Sequence, residues 1–167
     1  MLKAVFVFLL VVLNVSAPQQ SQPVKPAASP LARWEGNWSG EGKFLGQSAV
    51  QRLQWERVLN GKFTRLTVRV ETASGQPMFE GHAYYRQTEG AQFEARWFDS
   101  QSHIYPIKGQ LEADTLTAFW GEPATEEGKS VYKLFDAGKQ LEVVDAVRNK
   151  DGSWREFGRF VLKRSTM

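Results

Sequence analysis

Apolar and polar residues alternate repeatedly along this 167-residue chain from Trp34 onward. Between residues 65 and 71, for example, Leu66, Val68 and Val70 alternate with charged or polar neighbours. A period of two places successive side chains on opposite faces of a strand, so the pattern predicts strands with one buried and one solvated face. No stretch beyond Trp34 has the spacing of an amphipathic helix, and we therefore predict an all-β fold.

Short turn sequences such as Asn60-Gly61 and Asp151-Gly152 separate these strands. Such dipeptides favour tight hairpins, and strands joined by tight turns pair as antiparallel neighbours. Ten strands exceed what an open, twisted sheet accommodates easily, so we predict a single up-and-down β-barrel, with a two-sheet β-sandwich as the alternative. The predicted strands lie near residues 34–45, 48–59, 62–73, 77–88, 91–99, 103–111, 115–121, 129–136, 140–148 and 153–163.

The composition excludes several classes of protein. Hydrophobic residues make up 42% and charged residues 23% of the chain, as in an ordered globular protein, and the length suits one domain. The formal net charge is +3, but basic and acidic residues are interspersed without a run, which argues against nucleic-acid binding. The chain contains no cysteine, so disulfides, thiol catalysis and zinc–thiolate sites are excluded.

Residues 1–17 have the pattern of a secretory signal peptide, with Lys3 before an apolar stretch at residues 4–13 and small residues after it. The apolar stretch is shorter than the roughly 20 residues of a spanning helix, so we expect no membrane span once the signal is removed. Residues 18–32 are rich in Pro, Gln, Ser and Ala, which is typical of an extended linker. We therefore predict an exported protein, periplasmic or secreted, whose barrel domain covers residues 33–167.

Four short motifs in the body of the chain are similar to those of a known family. They are Gly-Asn-Trp at residues 36–38, Arg-x-Leu-x-Gly-x-Phe at 57–63, Trp-x-Asp-Ser at 97–100 and the final hairpin at 151–164. In their order and spacing they resemble exported bacterial lipocalin-like domains of unknown function, a family distantly related to nitrobindin. The resemblance covers residues 34–164 and implies a lipocalin-like barrel.

The resemblance also implies roles for single residues. Trp38 is expected to close one end of the barrel, with Arg159 or Arg164 stacked on its indole. Nitrobindin-type proteins bind haem through a histidine close to the C-terminus, but the last eleven residues of this chain contain none. His82 and His103 are the only histidines, and either is a candidate haem ligand only if its side chain enters the barrel. We otherwise predict no cofactor and no metal site.

Aromatic residues are spread over most of the predicted strands, and they are the main indication of a ligand cavity. The aromatic candidates for its wall are Trp55, Trp97, Trp120 and Tyr132. The strand near residues 77–88 has two faces of ambiguous direction: His82, Tyr84 and Arg86 share one, and Phe79, Ala83 and Tyr85 share the other. An inward first face would suit an amphipathic ligand with an anionic group and Arg86 as its counter-charge. An outward first face would leave the barrel nearly solid.

The remaining polar residues do not indicate catalysis. The carboxylates, Asp99 and Asp145 among them, fall mostly at predicted strand ends and turns, where acidic residues are ordinarily solvated, and no serine lies in a nucleophile elbow. We therefore expect a protein that is not an enzyme and predict no particular oligomeric state. Three hypotheses follow: a binding protein for a small apolar or amphipathic ligand, a solid barrel acting through its surface as an envelope accessory protein, and a haem protein using His82 or His103.

Overall fold

A computed structural model describes residues 29–165 of the chain, and they form ten antiparallel strands. The prediction of an all-β fold is confirmed, and each predicted strand overlaps an observed one, with ends that agree to within three residues. The strands are β1 (Gly36–Phe44), β2 (Gln47–Val58), β3 (Phe63–Thr72), β4 (Pro77–Gln87), β5 (Gln92–Asp99), β6 (Ile104–Glu112), β7 (Thr115–Glu122), β8 (Glu126–Phe135), β9 (Gln140–Arg148) and β10 (Trp154–Arg164). Short 3-10 helices lie at Pro30–Arg33 and Asp136–Gly138.

The sheet closes on itself because β1 pairs with β10 as well as with β2. In this seam Trp38 lies opposite Arg164. A Cβ atom on Gly40 or on Gly42 would fall 2.1 Å from a carbonyl oxygen of β10, so only glycine permits the two strands to approach this closely. The predicted up-and-down barrel is therefore confirmed, and the β-sandwich alternative is wrong.

The two ends of the barrel differ. In an up-and-down barrel alternate turns lie at the same end. The turns that follow β1, β3, β5, β7 and β9 form what we call the open end. The turns that follow β2, β4, β6 and β8 lie at the other end, together with the 3-10 helix Pro30–Arg33, and we call this the closed end.

The packed body starts before residue 33, where the predicted domain begins. Leu31, in the 3-10 helix Pro30–Arg33, is only 1% exposed and belongs to the core. Residues 1–28, which contain the predicted signal peptide and most of the predicted linker, lie outside the described residues. Between residues 29 and 165, no helix has the length and apolar character needed to cross a membrane.

Candidate functional site

The closed end is filled by tryptophan side chains. Trp34, Trp38 and Trp55 are each no more than 1% exposed, and Trp38 Nε1 donates a hydrogen bond of 2.8 Å to the carbonyl oxygen of Trp34. The guanidinium of Arg164 lies over the Trp38 ring, 4.2 Å from its centroid. This stack covers the outermost indole and completes the end of the barrel.

Arg164 also binds the backbone around that indole. Its Nη1 and Nη2 atoms donate to the carbonyl oxygens of Glu35 and Arg33, each at 2.6 Å. Its Nε donates to the carbonyl oxygen of Gly138 at 3.1 Å. Arg164 is thus the stacking partner of Trp38. Arg159 does not close the barrel, because it lies on the outer surface and pairs with two glutamates of β9 and β10.

Towards the open end, the interior of the barrel is not filled. A cavity of about 250 Å³ extends from the middle of the barrel to the open end, close to the lower limit of roughly 300 Å³ for small-molecule sites. Three of the predicted wall residues, Trp97, Trp120 and Tyr132, line it. Trp55 lies beneath the cavity instead, with ring centroids 5.5 Å from Tyr85 and 5.3 Å from Tyr132.

A ring of aromatic side chains surrounds the mouth of the cavity. Its members come from six strands spaced around the barrel, and successive rings have centroids 5.5 to 6.4 Å apart. The contacts run from Phe157 to Phe44, Phe79 and Trp97 on one side, and from Phe157 to Trp120 and Tyr105 on the other. We call these six side chains the mouth ring.

Asp99 and His103 close the gap in the mouth ring between Trp97 and Tyr105. The His103 ring stacks on Tyr105 at 5.4 Å, and its Nδ1 lies 3.2 Å from Asp99 Oδ2, to which Trp97 Nε1 donates at 3.1 Å. Asp99 Oδ1 accepts the backbone N–H groups of Gln101 and His103. Burial opposes ionisation of this carboxyl, but these hydrogen bonds outweigh it and hold the pKa of Asp99 below its ordinary value.

Two buried glycines make room for the indoles of the mouth ring. A Cβ atom on Gly81 would lie 2.2 Å from the Trp97 ring, and one on Gly128 would lie 1.9 Å from the Trp120 ring. Gly81 is on β4 beside β5, and Gly128 is on β8 beside β7. Each indole therefore lies against the backbone of the neighbouring strand, which keeps it near the wall and leaves the centre of the barrel open.

A bulge in β10 adds two side chains to the mouth. The pairing register with β9 shifts between Glu156 and Gly158, so the inward-facing positions change parity there. Gly158 and Phe160 face the interior beyond the bulge and are buried, while Arg155 and Phe157 line the cavity before it. Without the extra residue, one of these two sets would face solvent.

The inner end of the cavity is polar. Asp145 lies on the interior face of β9, and Ser130 is its cross-strand partner on β8. The part of the Asp145 side chain that remains exposed borders the cavity. Burial raises the pKa of Asp145 to about 6, against the opposing effect of a hydrogen bond from Ser130. The prediction that the carboxylates are solvated is therefore wrong for Asp145, and also for Asp99, whose side chain is 4% exposed.

Three further polar side chains line the same end: Gln51, Tyr85 and Tyr132. Burial raises the pKa of both tyrosines, so their hydroxyl groups keep their protons. Gln51 is 2% exposed, and its Oε1 has no hydrogen-bond partner within residues 29–165. The inner end thus combines a carboxyl, an amide oxygen without a partner and two neutral hydroxyl groups.

Three predicted site residues lie outside the barrel. His82, Tyr84 and Arg86 occupy the outer face of β4, where Arg86 pairs with Glu94 at 3.0 Å, and the face with Tyr85 points inward. Their assignment to the ligand site is therefore wrong, and Arg86 is not a counter-charge for a ligand inside the barrel. The accompanying expectation of a nearly solid barrel is also wrong, because the cavity is present.

The two histidines also occupy different positions. His82 lies 3.2 Å from Thr67 Oγ1 on the outer face, so it cannot ligate a haem inside the barrel. His103 lines the mouth of the cavity. Among the residues that the structure describes, no group of three or more histidine and carboxylate side chains is arranged to hold a metal ion.

The wall of the cavity is acidic, although the whole chain has a net charge of +3. It contains three carboxylates, Asp99, Glu126 and Asp145, and one guanidinium, that of Arg155. The Tyr105 hydroxyl donates to Glu126 at 3.3 Å. Clustered charge of one sign in a cleft with apolar walls focuses the electrostatic field, so the interior favours positive charge more than the outer surface does.

Comparison with solved structures supports the fold. The chain is similar to Rv2717c from M. tuberculosis, with a TM-score of 0.65 over 86% of this chain and 100% of that chain. The two sequences are 16% identical, so the likeness concerns the fold alone. No protein-family model matches the sequence, and no curated protein matches it. Membership of the exported lipocalin-like family, and the relationship to nitrobindin, stay predictions.

Proposed function

We propose that this protein is an exported binding protein that holds a small, flat, largely apolar molecule in the barrel cavity without covalent chemistry. The observation that carries the proposal is the cavity of about 250 Å³ beneath the mouth ring. Protein interiors are ordinarily packed without voids much larger than a water molecule. Aromatic walls with a few polar groups are the usual lining of small-molecule sites.

The site is preformed, which favours binding. Gly81 and Gly128 hold the two indoles of the mouth ring against the wall, and Asp99 fixes the turn that carries His103. A ligand entering such a cavity does not have to displace side chains or order a loop, so less of the interaction energy is lost. The rival hypothesis of a solid, surface-acting barrel loses its premise, because the interior is not solid.

A neutral fluorescent dye tests this proposal. We expect N-phenyl-1-naphthylamine to bind with a stoichiometry of one and to quench the emission of Trp97 and Trp120. Val147 lines the cavity, so Val147→Phe fills it and should weaken binding about tenfold or more. Val161 is 45% exposed on the outer surface, so Val161→Phe is the matched control and should bind as the parent does.

Two results would overturn the binding proposal: a dye that does not bind at one site, or a Val147→Phe variant that binds as tightly as Val161→Phe. A Soret band that appears on haem addition and disappears in His103→Ala would instead make the protein a haem carrier. Native mass spectrometry of the gently purified protein adds an independent result, because a carried ligand appears as mass that is lost on denaturation.

The proposed export has its own test. It rests on the signal-like pattern of residues 1–17. Recovered from a periplasmic or culture fraction, the chain should have the intact mass of residues 18–167. A chain that retains residue 1 and stays with the cytoplasmic fraction would refute the export proposal without affecting the binding proposal.

A further inference from the structure

We infer that the ligand carries a cationic nitrogen, such as a primary ammonium on an aromatic body, and that this nitrogen pairs with Asp145 at the inner end of the cavity. The inference rests on the proposed function and adds the chemical class of the ligand. The inferred ligand charge is opposite to the anionic group that would be expected if Arg86 pointed into the barrel.

Among residues 29–165, no cationic side chain pairs with Asp145 at the inner end of the cavity. Ser130 hydrogen-bonds to Asp145, but the basic side chains of the cavity wall, His103 and Arg155, lie at the open end. A buried carboxylate without a cationic partner is costly, and a perturbed carboxyl that faces a cavity is a candidate functional group. A cationic ligand supplies the missing partner.

The hydrogen-bond acceptors at the inner end match a cationic nitrogen in number and kind. An ammonium group has three N–H donors and no acceptor. Asp145 offers carboxylate oxygens, the Oε1 atom of Gln51 has no partner among residues 29–165, and the hydroxyl oxygens of Tyr85 and Tyr132 are further acceptors. An anionic group at the same position would meet Asp145 with like charge and would leave the Gln51 oxygen without a donor.

The carboxyl of Asp145 also lies close to aromatic rings. A Cβ atom on Gly158 would lie 3.1 Å from Asp145 Oδ2, so the glycine lets the carboxyl rest against the backbone of β10. Tyr85 and Tyr132 are close enough to Asp145 to interact with it electrostatically. Their rings offer π faces to a cation near the carboxylate, and such contacts contribute about 0.5–2 kcal/mol. The mouth ring then surrounds the apolar body of the ligand.

The groups that face Asp145 also set the pH range of binding. They are Ser130 and Tyr132 on β8, Glu156 on β10 and Tyr85 on β4. Burial, with a smaller contribution from the Glu156 charge, raises the pKa of Asp145 to about 6, and both tyrosines stay neutral. The affinity for a cation should therefore increase between about pH 5 and pH 7, as Asp145 loses its proton.

The test uses three probes of nearly equal shape: 1-naphthylmethylamine, 1-naphthylmethanol and 1-naphthoate. By isothermal titration at pH 7.5, we expect the amine to bind about tenfold or more tightly than the alcohol, and the carboxylate to bind most weakly. In Asp145→Asn the amine should lose this advantage over the alcohol. Asp136, in the exposed turn at the closed end, provides the matched control, because Asp136→Asn removes the same charge far from the cavity.

The outcomes separate the inference from the proposed function. If the alcohol or the carboxylate binds as tightly as the amine, or if Asp145→Asn keeps the advantage of the amine, the inference is overturned and the binding proposal stands. If neither the naphthyl probes nor the neutral dye binds, both are overturned. Should Asp145→Asn not fold, the parent protein decides the question: an amine affinity that does not increase between pH 5 and pH 7 excludes Asp145 as the partner.

Discussion

The closed and open ends of this barrel use the same kinds of side chain with opposite results. At the closed end, Trp38 is 1% exposed, donates a hydrogen bond to the carbonyl oxygen of Trp34 and is covered by Arg164, so this end is packed. At the open end, Trp97 and Trp120 are larger than any other wall residue, yet a cavity of about 250 Å³ lies between them. The number of aromatic residues therefore does not distinguish a packed core from an open cavity.

What differs is the surface against which each indole packs. At the closed end the Trp38 indole donates to the backbone carbonyl of Trp34 and is covered by the guanidinium of Arg164. At the open end each indole packs on a glycine of the neighbouring strand, Gly81 or Gly128, and stays near the wall. The small residues opposite the tryptophans, more than the tryptophans themselves, determine where the interior is open.

Replacing one tryptophan at each end with alanine should give the largest change in stability. It directly tests whether the closed and open ends are packed differently. We expect Trp38→Ala to lower the free energy of unfolding by about 3–5 kcal/mol, because a fully buried indole leaves a large void. Trp120→Ala should cost no more than about 2 kcal/mol, since this half-buried indole already borders a cavity. Urea unfolding at neutral pH measures both, and equal losses would mean that the two ends are packed alike.

Asp145 should make the open half of the barrel sensitive to pH. Its pKa is about 6 in the folded protein against an ordinary value of 3.8, so the folded state binds more protons between these values and stability falls as pH rises through them. Above about pH 7 the full penalty, up to about 3 kcal/mol, is present. Asp145→Asn should therefore stabilise the protein at pH 8 and have little effect at pH 3.

Denaturant unfolding of Asp145→Asn at several pH values checks this prediction, with Asp136→Asn as the control that should show no such trend. A stabilisation that is the same at pH 3 and pH 8 would mean that the carboxyl does not carry the penalty.

A single methyl group should disturb the mouth ring. A Cβ atom on Gly128 would overlap the Trp120 ring, so Gly128→Ala should cost about 1–3 kcal/mol and should push the indole into the cavity, weakening dye binding. Gly109→Ala is the matched control, because its Cβ atom would lie 3.4 Å from its nearest neighbour, in ordinary contact. If both variants bind dye equally, the glycine does not position the indole.

The smallest effect is expected from a conservative change at the closed end. Arg164→Lys keeps the charge but loses the flat stack on Trp38 and most of the hydrogen bonds to backbone carbonyls, so we expect a loss of about 1 kcal/mol. Arg159→Lys, on the exposed surface, should change the free energy of unfolding by no more than about 0.5 kcal/mol. Thermal unfolding of the two variants side by side provides the measurement.

The strands were predictable because their signals are local. Alternation and turn dipeptides depend on neighbouring residues, so each strand end could be placed without knowing its partner. The face of β4 that points into the barrel could not be predicted from such local signals. Both of its faces contain aromatic residues, and the inward one is decided by Gly81, which makes room for Trp97 on the next strand. That requirement is visible only once the register of β4 and β5 is known.

The polar residues at the inner end of the cavity could partly be predicted from the sequence. Asp145 shares its face of β9 with Leu141 and Val143, and Gln51 shares its face of β2 with Leu53, so the alternation places both inside. Asp145 was instead predicted to be solvated, like the carboxylates at strand ends. The bulge at Phe157 had no comparable signal, because it depends on how β10 pairs with β9.

The barrel closes by pairing its first and last strands, β1 and β10. This pairing affects when the cavity forms during folding. Nine of the ten strand pairings join neighbours in sequence and can form as hairpins, but the tenth brings Trp38 to Arg164 across almost the whole domain. Contacts between such distant residues form slowly, since a long loop must be closed before they are gained. Phe44 and Phe157 meet across this seam, so we expect the mouth ring to be completed last. The cavity should therefore be complete only when the whole domain from β1 to β10 has folded.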